Sequence, residues 1–376
     1  MARLGDLGTV LTGNTPKTSE EANYISNDIC FIKPSDIEEN EISEITSSEF
    51  YISEYAKEKA RILPINSVLV TCIGIIGKVG INKVECAFNQ QINAIIPDKN
   101  KYLAKYIAYA IQSNKKKMQN IANAPVVPII NKTQFSDIEI KTENIEIQKK
   151  VVSKLEKVDE LISCRKEQLL KLDELVKARF IELFMGKGYP QKTVDEVSLG
   201  KGEYGAQSAS VEYDETRPRY VRITDINDDG TLNDDLVASI NPADDEQYKL
   251  EYGDFMFARM GATVGKTYAF IEGNQIFAGY LIRYRLNQEL INPRYLFWYT
   301  KLDEYWNWVK LNQSGAAQPG INAKKYGSLQ IPLPPIEEQE NFAIFVEQTE
   351  KTKAEVQKSL DELEILKKSL MQKYFE

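Results

Sequence analysis

The chain has 376 residues, of which 43% are hydrophobic and 27% charged, with a net charge of −8. That length and balance fit a folded chain with room for more than one core, and they exclude a disordered or fibrous one. Histidine is absent, which removes Ser-His-Asp and Cys-His triads, His-bearing zinc and iron sites, and imidazole acid–base chemistry.

In chain order, residues 1–144 mix short apolar runs with Gly, Pro, Asn and Asp. The runs at 67–73 and 87–97 read as strands, and 102–112 as a helix. The opening residues lack the apolar stretch of a signal peptide. The longest apolar run, 67–81, is interrupted by Thr71, Gly74, Gly77 and Lys78, too often for a membrane helix. The four cysteines, Cys30, Cys72, Cys86 and Cys164, have no CxxC spacing, so no metal knuckle is expected. A cytoplasmic protein with free thiols, and with no membrane partner, is the expectation.

Residues 145–189 change character, with almost no Gly or Pro and many Lys, Glu and Leu. Val151, Leu155, Val158, Ile162, Leu169, Leu172, Val176 and Leu183 follow a 4-3 spacing, broken by Arg165 and Arg179. This is a coiled-coil seam. Residues 190–335 return to the mixed pattern, with strands expected at 254–259 and 276–286 and a helix at 293–309. Residues 336–376 form a second seam: Phe342, Val346, Val356, Leu360, Leu363, Leu370 and Tyr374, broken by Thr349, Lys353 and Lys367.

The second half repeats the first. Phe31-Ile-Lys-Pro-Ser-Asp-Ile37 matches Tyr220-Val-Arg-Ile-Thr-Asp-Ile226, 189 residues on. Gly77-Lys78 matches Gly265-Lys266, Pro128-Ile-Ile-Asn131 matches Pro319-Gly-Ile-Asn322, and Ile145-Glu-Ile-Gln148 matches Ile336-Glu-Glu-Gln339, at offsets of 188 to 191. One order and nearly one spacing mean two copies of one unit. A helix of about 40 residues is about 60 Å long and needs a partner for its apolar stripe. An antiparallel pair with a globular domain at each end is expected. Two separate helices, each docked on its own domain, is the other arrangement open.

Three constellations bear on chemistry. Gly261-Ala-Thr-Val-Gly-Lys-Thr267 is one residue short of the phosphate-binding G-x4-G-K-[ST] loop, and the sister copy has Val79 at the threonine position. It reads as a turn between strands rather than a nucleotide cradle. No Asn/Asp-Pro-Pro-aromatic pocket for a flipped adenine is present. Asp234-Asp235 and Asp244-Asp245-Glu246 read as solvated loop charges rather than a two-metal centre. The three tryptophans, Trp298, Trp306 and Trp308, are expected to pack a helix onto the core, with base stacking as the alternative.

The segment Gln318-Pro-Gly-Ile-Asn322, then Leu329-Gln-Ile-Pro-Leu-Pro-Pro-Ile336, Glu338-Gln339 and a heptad helix resembles the specificity (S) subunit of type I restriction-modification systems. Arg259-Met-Gly-Ala-Thr-Val-Gly-Lys266, Leu4-Gly-Asp-Leu-Gly8 and Thr12-Gly13 are also similar to that family. The resemblance covers both copies. The first copy departs from it, with Val127 in the place of Gln318 and Lys141-Thr-Glu-Asn in the place of Pro332-Leu-Pro-Pro. The resemblance implies two mixed α/β (α+β) target recognition domains, 1–144 and 190–335. Two long antiparallel coiled-coil spacer helices, 145–189 and 336–376, join them with a pseudo-twofold repeat. It implies a non-catalytic subunit that reads a bipartite site in double-stranded DNA. It implies that two methyltransferase subunits and restriction/translocase subunits bind this chain. It further implies that S-adenosylmethionine, ATP and magnesium serve those partners, with no cofactor or metal bound by this chain.

Within that reading, Arg259, Lys266 and Gln318, with Lys78 and Thr71 in the first copy, are candidate DNA contacts. The charge by segment is −1, +2, −5 and −4, so basic groups must cluster in space to hold phosphate. Seven of the eleven arginines lie in 190–335: Arg217, Arg219, Arg222, Arg259, Arg283, Arg285 and Arg294. Arg222, Arg283 and Arg285 are added as candidates, the last two sharing one face of a strand. Guanidinium forks suit guanine edges; ion pairs with the nearby acids are the competing reading. Asn89, Gln90 and Gln91, expected on a strand, suit adenine edges, which points to an A·T-leaning first half-site and a G·C pair in the second. A coiled-coil adaptor that bridges two proteins is the alternative function.

Overall fold

The computed structural model describes every residue except 123–126, 241–245 and 316–318, and excepting the side chain of Glu246. It separates into two compact units, Met1–Lys166 with Lys358–Glu376, and Glu167–Gln357.

The first unit is built on β1 (Gly8–Thr12), β2 (Ile29–Ile32), β3 (Ile42–Ile45), β4 (Tyr51–Ile52), β5 (Ile62–Leu63), β6 (Val68–Thr71), β7 (Val79–Asn82), β8 (Cys86–Phe88) and β9 (Ile92–Pro97). One sheet runs β1-β9-β6-β7-β3 and the other β4-β2-β8-β5. Alternation along β6 sorts its side chains between two cores. Val68 and Val70 join Ile95, Tyr106, Ile107 and Ile111 under helix α1 (Ala104–Ser113), while Leu69 joins Ile32, Leu63 and Phe88 on the opposite face. The long helix α2 (Ile145–Phe184) starts here, with Asn144 accepting from the Ile147 N–H at 3.0 Å.

The second unit repeats the plan with β10 (Glu203–Tyr204), β11 (Arg219–Val221), β12 (Asp254–Ala258), β13 (Thr267–Ala269), β14 (Gln275–Phe277) and β15 (Leu281–Arg285). Its main sheet runs β10-β15-β12-β13, as β1-β9-β6-β7 does. The parallel pair β11/β14 matches β2/β8. Phe255 and Phe257 face the core under α3 (Pro293–Tyr299) and α4 (Asp303–Asn312), and Met256 and Ala258 face the other. The expected continuous helix over 293–309 is two. Thr300 bonds back to Phe297 O (2.7 Å) and across to Thr267 (2.7 Å), and the buried Leu302 follows in an extended conformation. The strands expected over 87–97 and 276–286 are each split by a turn, at 89–91 and 278–280.

The closing helix α5 (Ile336–Phe375) completes both units. In the first, Lys154 meets Tyr374 (3.4 Å), Asp159 meets Lys367 (2.7 Å) and Arg165 meets Ser359 (3.3 Å). An advance along α2 is thus a retreat along α5, so the helices are antiparallel. In the second, Asp173 meets Lys353 (2.6 Å) and the Phe180 and Phe342 rings lie 5.3 Å apart, again antiparallel. Val151, Leu155, Val158, Ile162, Val176, Val356 and Leu360 are buried in the seam, with Leu169, Leu172, Leu363 and Leu370 half-buried. The seam breaks Lys353 and Lys367 form cross-helix ion pairs.

Candidate nucleic-acid interface

The repeated motifs are first of all joints of the scaffold. Asn131 and Asn322 cap the short helices Lys132–Ser136 and Ala323–Gly327, each accepting an N–H three residues on at 2.9 Å. Gln148 and Gln339 are fully buried. Gln148 accepts from Leu103 N and donates to Lys101 O and Glu143 O; Gln339 accepts from Asn292 N and donates to Leu290 O and Pro334 O. Each glutamine therefore locks the start of a long helix to the loop before α1 or α3. Asp36 and Asp225 accept the Lys33 and Arg222 N–H at 2.7 and 2.9 Å and close equivalent turns.

The glycine loops are also satisfied from within. Gly265 donates to Ala258 O and to the Tyr326 hydroxyl, and its carbonyl accepts from the buried Tyr305. Gly261, Val264 and Lys266 donate to Pro319 O, Gly261 O and Thr263 O. No fan of free N–H groups converges there, so the loop lacks the means to cradle phosphate. Thr71 is buried, gives its hydroxyl proton to Ile75 O and accepts from Lys78 N, which makes it part of the turn. Lys78 reaches Pro34 O (3.2 Å), and Lys266 reaches Ile226 O (3.1 Å) and Asp228 (2.8 Å).

The two copies can be aligned by backbone bonds. Gly13 and Asn14 donate to Ile92 O and Phe88 O; Gly205 and Ala206 donate to Leu281 O and Phe277 O. Cys72 donates to Gln91 O and accepts from Ile130; Arg259 donates to Tyr280 O and accepts from Ile321. Thr12, Cys72 and Gln91 thus occupy the places of Tyr204, Arg259 and Tyr280. Gly13 and Gly205 are obligatory at this corner. A Cβ would lie 2.0 Å from Asn89 O in one and 2.4 Å from the Phe277 and Ala278 carbonyls in the other.

The arginines divide sharply. Arg283, expected on the DNA face, is 2% exposed. Its guanidinium pairs with Glu203 and Asp254 and donates to Lys249 O and Gln247 O. Burial raises the Asp254 carboxyl above its ordinary value, with the Glu251 backbone N–H and then Arg283 acting against that rise. Arg283 has no donor or free face left for a base: a core ion pair outcompetes solvent for it once loops cover the strand. Arg285 stays half-exposed, with a loose 3.7 Å approach to Glu203. Arg222 is held bidentate by the buried Asp225 at 2.9 and 3.1 Å and also donates to Leu236 O. Arg217, Arg219 and Arg294 face Asp214, Asp234, and Glu347 with Glu350. Arg259 differs. Its Nε donates to Gly279 O (3.1 Å), its guanidinium lies 4.8 Å over the Tyr204 ring and 5.8 Å from the Tyr280 ring, and no carboxylate among the described residues pairs with it.

The amides expected on a strand sit in the 89–91 turn. Asn89 bonds the Gln91 side chain and backbone N–H, both at 3.0 Å, and the exposed Gln90 accepts from Thr15 at 2.5 Å. The strand expectation fails because the close approach at Gly13 forces the chain to turn. Gln318 and residues 244–245 lie outside the described residues. The tryptophans flank the core: Trp308 stacks 6.5 Å from the buried Tyr305, and Trp306 lies against Gly265. Sequence reasoning missed Arg61, Tyr204 and Tyr280, because an isolated arginine and lone tyrosines carry no pattern. No described helix is long and apolar enough to cross a membrane, and no described cluster of three or more Cys, Asp or Glu could hold a metal.

Both units carry the signature of one family. The model of the type I restriction modification DNA specificity domain matches residues 1–174 and 199–365. The chain belongs to this family. It is 32% identical over 163 residues to the HindI specificity subunit of Haemophilus influenzae (42% of this chain, 35% of that protein). It is 32% identical over 181 residues to the EcoR124I/EcoR124II specificity subunit of Escherichia coli (46% of this chain, 44% of that protein). These matches span less than half the length of the curated relatives. The fold resembles the S subunit of a type I restriction-modification system from M. genitalium, at a TM-score of 0.59 and 14% identity over 100% of this chain and 95% of that one. It also resembles a chain from a study of complex assembly and conformational transition of the type I R-M system, at 0.62 and 18% over 99% and 96%.

Proposed function

We propose that this chain is the DNA-sequence specificity subunit of a type I restriction-modification complex. It reads a bipartite target in double-stranded DNA, one half-site per unit, and positions two methyltransferase subunits and the restriction/translocase subunits. The observation that carries this is one backbone frame built twice, with different side chains at the same corner: Thr12, Cys72 and Gln91 against Tyr204, Arg259 and Tyr280. A duplicated reader of two different half-sites needs such an arrangement, with phosphate contacts setting register and base contacts setting sequence. Arg259, Lys266, Arg285, Lys78 and Gln90 are the proposed DNA-facing groups from the sequence reading.

In this reading the subunit is non-catalytic and binds no cofactor. S-adenosylmethionine, ATP and magnesium are used by its partners, in the cytoplasm. The chain purified with its methyltransferase partner is expected to bind one bipartite sequence over random DNA, with affinity falling steeply as salt rises. Methylated adenines mapped in a host carrying both genes should share that motif. Salt-independent behaviour with no sequence preference would favour a protein-bridging adaptor instead.

A further inference from the structure

Nine of the eleven arginines lie outside α2, and among the described residues seven of these nine face a carboxylate. The two left are Arg259 and Arg61, and they stand at equivalent corners of the two units. Arg61 donates through Nη1 to the Thr12 carbonyl, and its backbone N–H donates to the Asn14 side chain at 2.8 Å. Thr12 and Asn14 are the counterparts of Tyr204 and Ala206 by their strand bonds. Arg259 reaches its corner from the glycine loop and Arg61 from the start of β5, so the coincidence is not inherited from the repeat.

The Arg259 setting is built rather than incidental. Nε is fixed on Gly279 O, and the guanidinium rests on the Tyr204 ring, with the Tyr280 ring 5.8 Å away. Both tyrosines are exposed, at 42% and 53%, so they hold the arginine outside the core. Tyr204 is itself anchored, its hydroxyl accepting from Ala323 N at 3.2 Å. With Nε taken, the two terminal nitrogens pair with no carboxylate among the described residues, and cation–π contact limits their rotamers before any ligand arrives. A fork of two parallel N–H donors matches the O6/N7 pair of guanine in the major groove. The same fork also fits a phosphate; what separates the two roles is whether its loss relaxes one base position or weakens binding to all sequences alike.

Resting on the function proposed above, we propose that Arg259 and Arg61 are the specificity-determining arginines, each reading a guanine in its own half-site, with Tyr204 and Tyr280 as positioning residues for Arg259. This places a G·C pair in the first half-site too, away from the A·T preference that the amides of 89–91 suggest.

The test is selection from randomised duplexes by the chain complexed with its methyltransferase partner. Arg259→Ala should relax one position of one half-site, with discrimination falling about 10- to 100-fold there and the other half intact. Arg61→Ala should relax one position of the other half. Arg259→Lys, which keeps the charge and the surface setting, should relax the same position as Arg259→Ala; Tyr204→Leu should do so less. Variants that keep every position of the wild-type motif would overturn the inference. So would a uniform loss across all sequences with a shallower salt dependence, which marks a phosphate contact. A wild-type complex that selects no motif at all would overturn both this inference and the function on which it rests.

Discussion

Single side chains decide how these units hold together. Gln148 and Gln339, both fully buried, each make three hydrogen bonds that stitch a long helix to its domain. Alanine at either position strands one N–H and two carbonyls, so a loss of about 2–4 kcal/mol is expected, read as a lower urea midpoint of that unit's transition. Lys301 gives a pH signature. Its ammonium is tucked over Phe297 (4.4 Å) with one bond to Asp228 O, and burial lowers its pKa to about 8, partly offset by Asp229 and Asp228. Below pH 8 both states carry the charge and the folded state bears the burial penalty. As pH rises from 8 towards 10.5 only the unfolded state keeps the proton, so stability rises, by at most about 3 kcal/mol. Lys301→Met should flatten that rise and stabilise the chain at pH 7, as denaturation curves across pH 7–10.5 would measure.

At the scale of elements, the helix pair shows what a heptad pattern leaves out. The spacing of Val151, Leu155, Val158 and Ile162 found the seam, while its polar breaks looked like faults. In the first unit one break is a joint: Lys367 pairs with Asp159 at 2.7 Å, and the buried Tyr109 of α1 donates to the same carboxylate at 2.6 Å. Asp159 thereby ties α1, α2 and α5 together. Burial, then the carboxylate, raises the Tyr109 pKa. Asp159→Asn is expected to cost about 1–2 kcal/mol. A double-mutant cycle with Lys367→Met should give a coupling of about 0.5–1.5 kcal/mol; additivity would mean that the ion pair contributes nothing. The aromatic ends were missed by the spacing. Phe375 packs on Tyr106 at 5.1 Å and Phe184 on Tyr295 at 5.0 Å, one equivalent contact in each unit.

For the whole molecule, duplication is the organising fact. If each unit reads its own half-site, a chain in which residues 190–335 are replaced by residues 1–144 should direct the proposed methyltransferase partner to a target with two identical half-sites. Methylation mapping of a host carrying that chimera checks this, and an unchanged asymmetric motif would sever half-site identity from these segments.

How much of this was legible beforehand follows from what sequence encodes. Periodicity and repeated landmarks carried the mixed α/β units, both long helices and the family, because apolar spacing and turn residues act locally. Absence of histidine removed whole classes of chemistry by itself. The fate of each arginine was different. Arg283 and Arg285 lie two residues apart on one strand, yet one is a buried ion pair and the other a surface cation. Arg61 and Arg259 share no motif, yet the strand-and-turn frame delivers them to matching corners. For these four arginines, whether the charge meets a carboxylate, a ring or a carbonyl depends on residues 20 to 82 positions away, and only the tertiary structure brings those together.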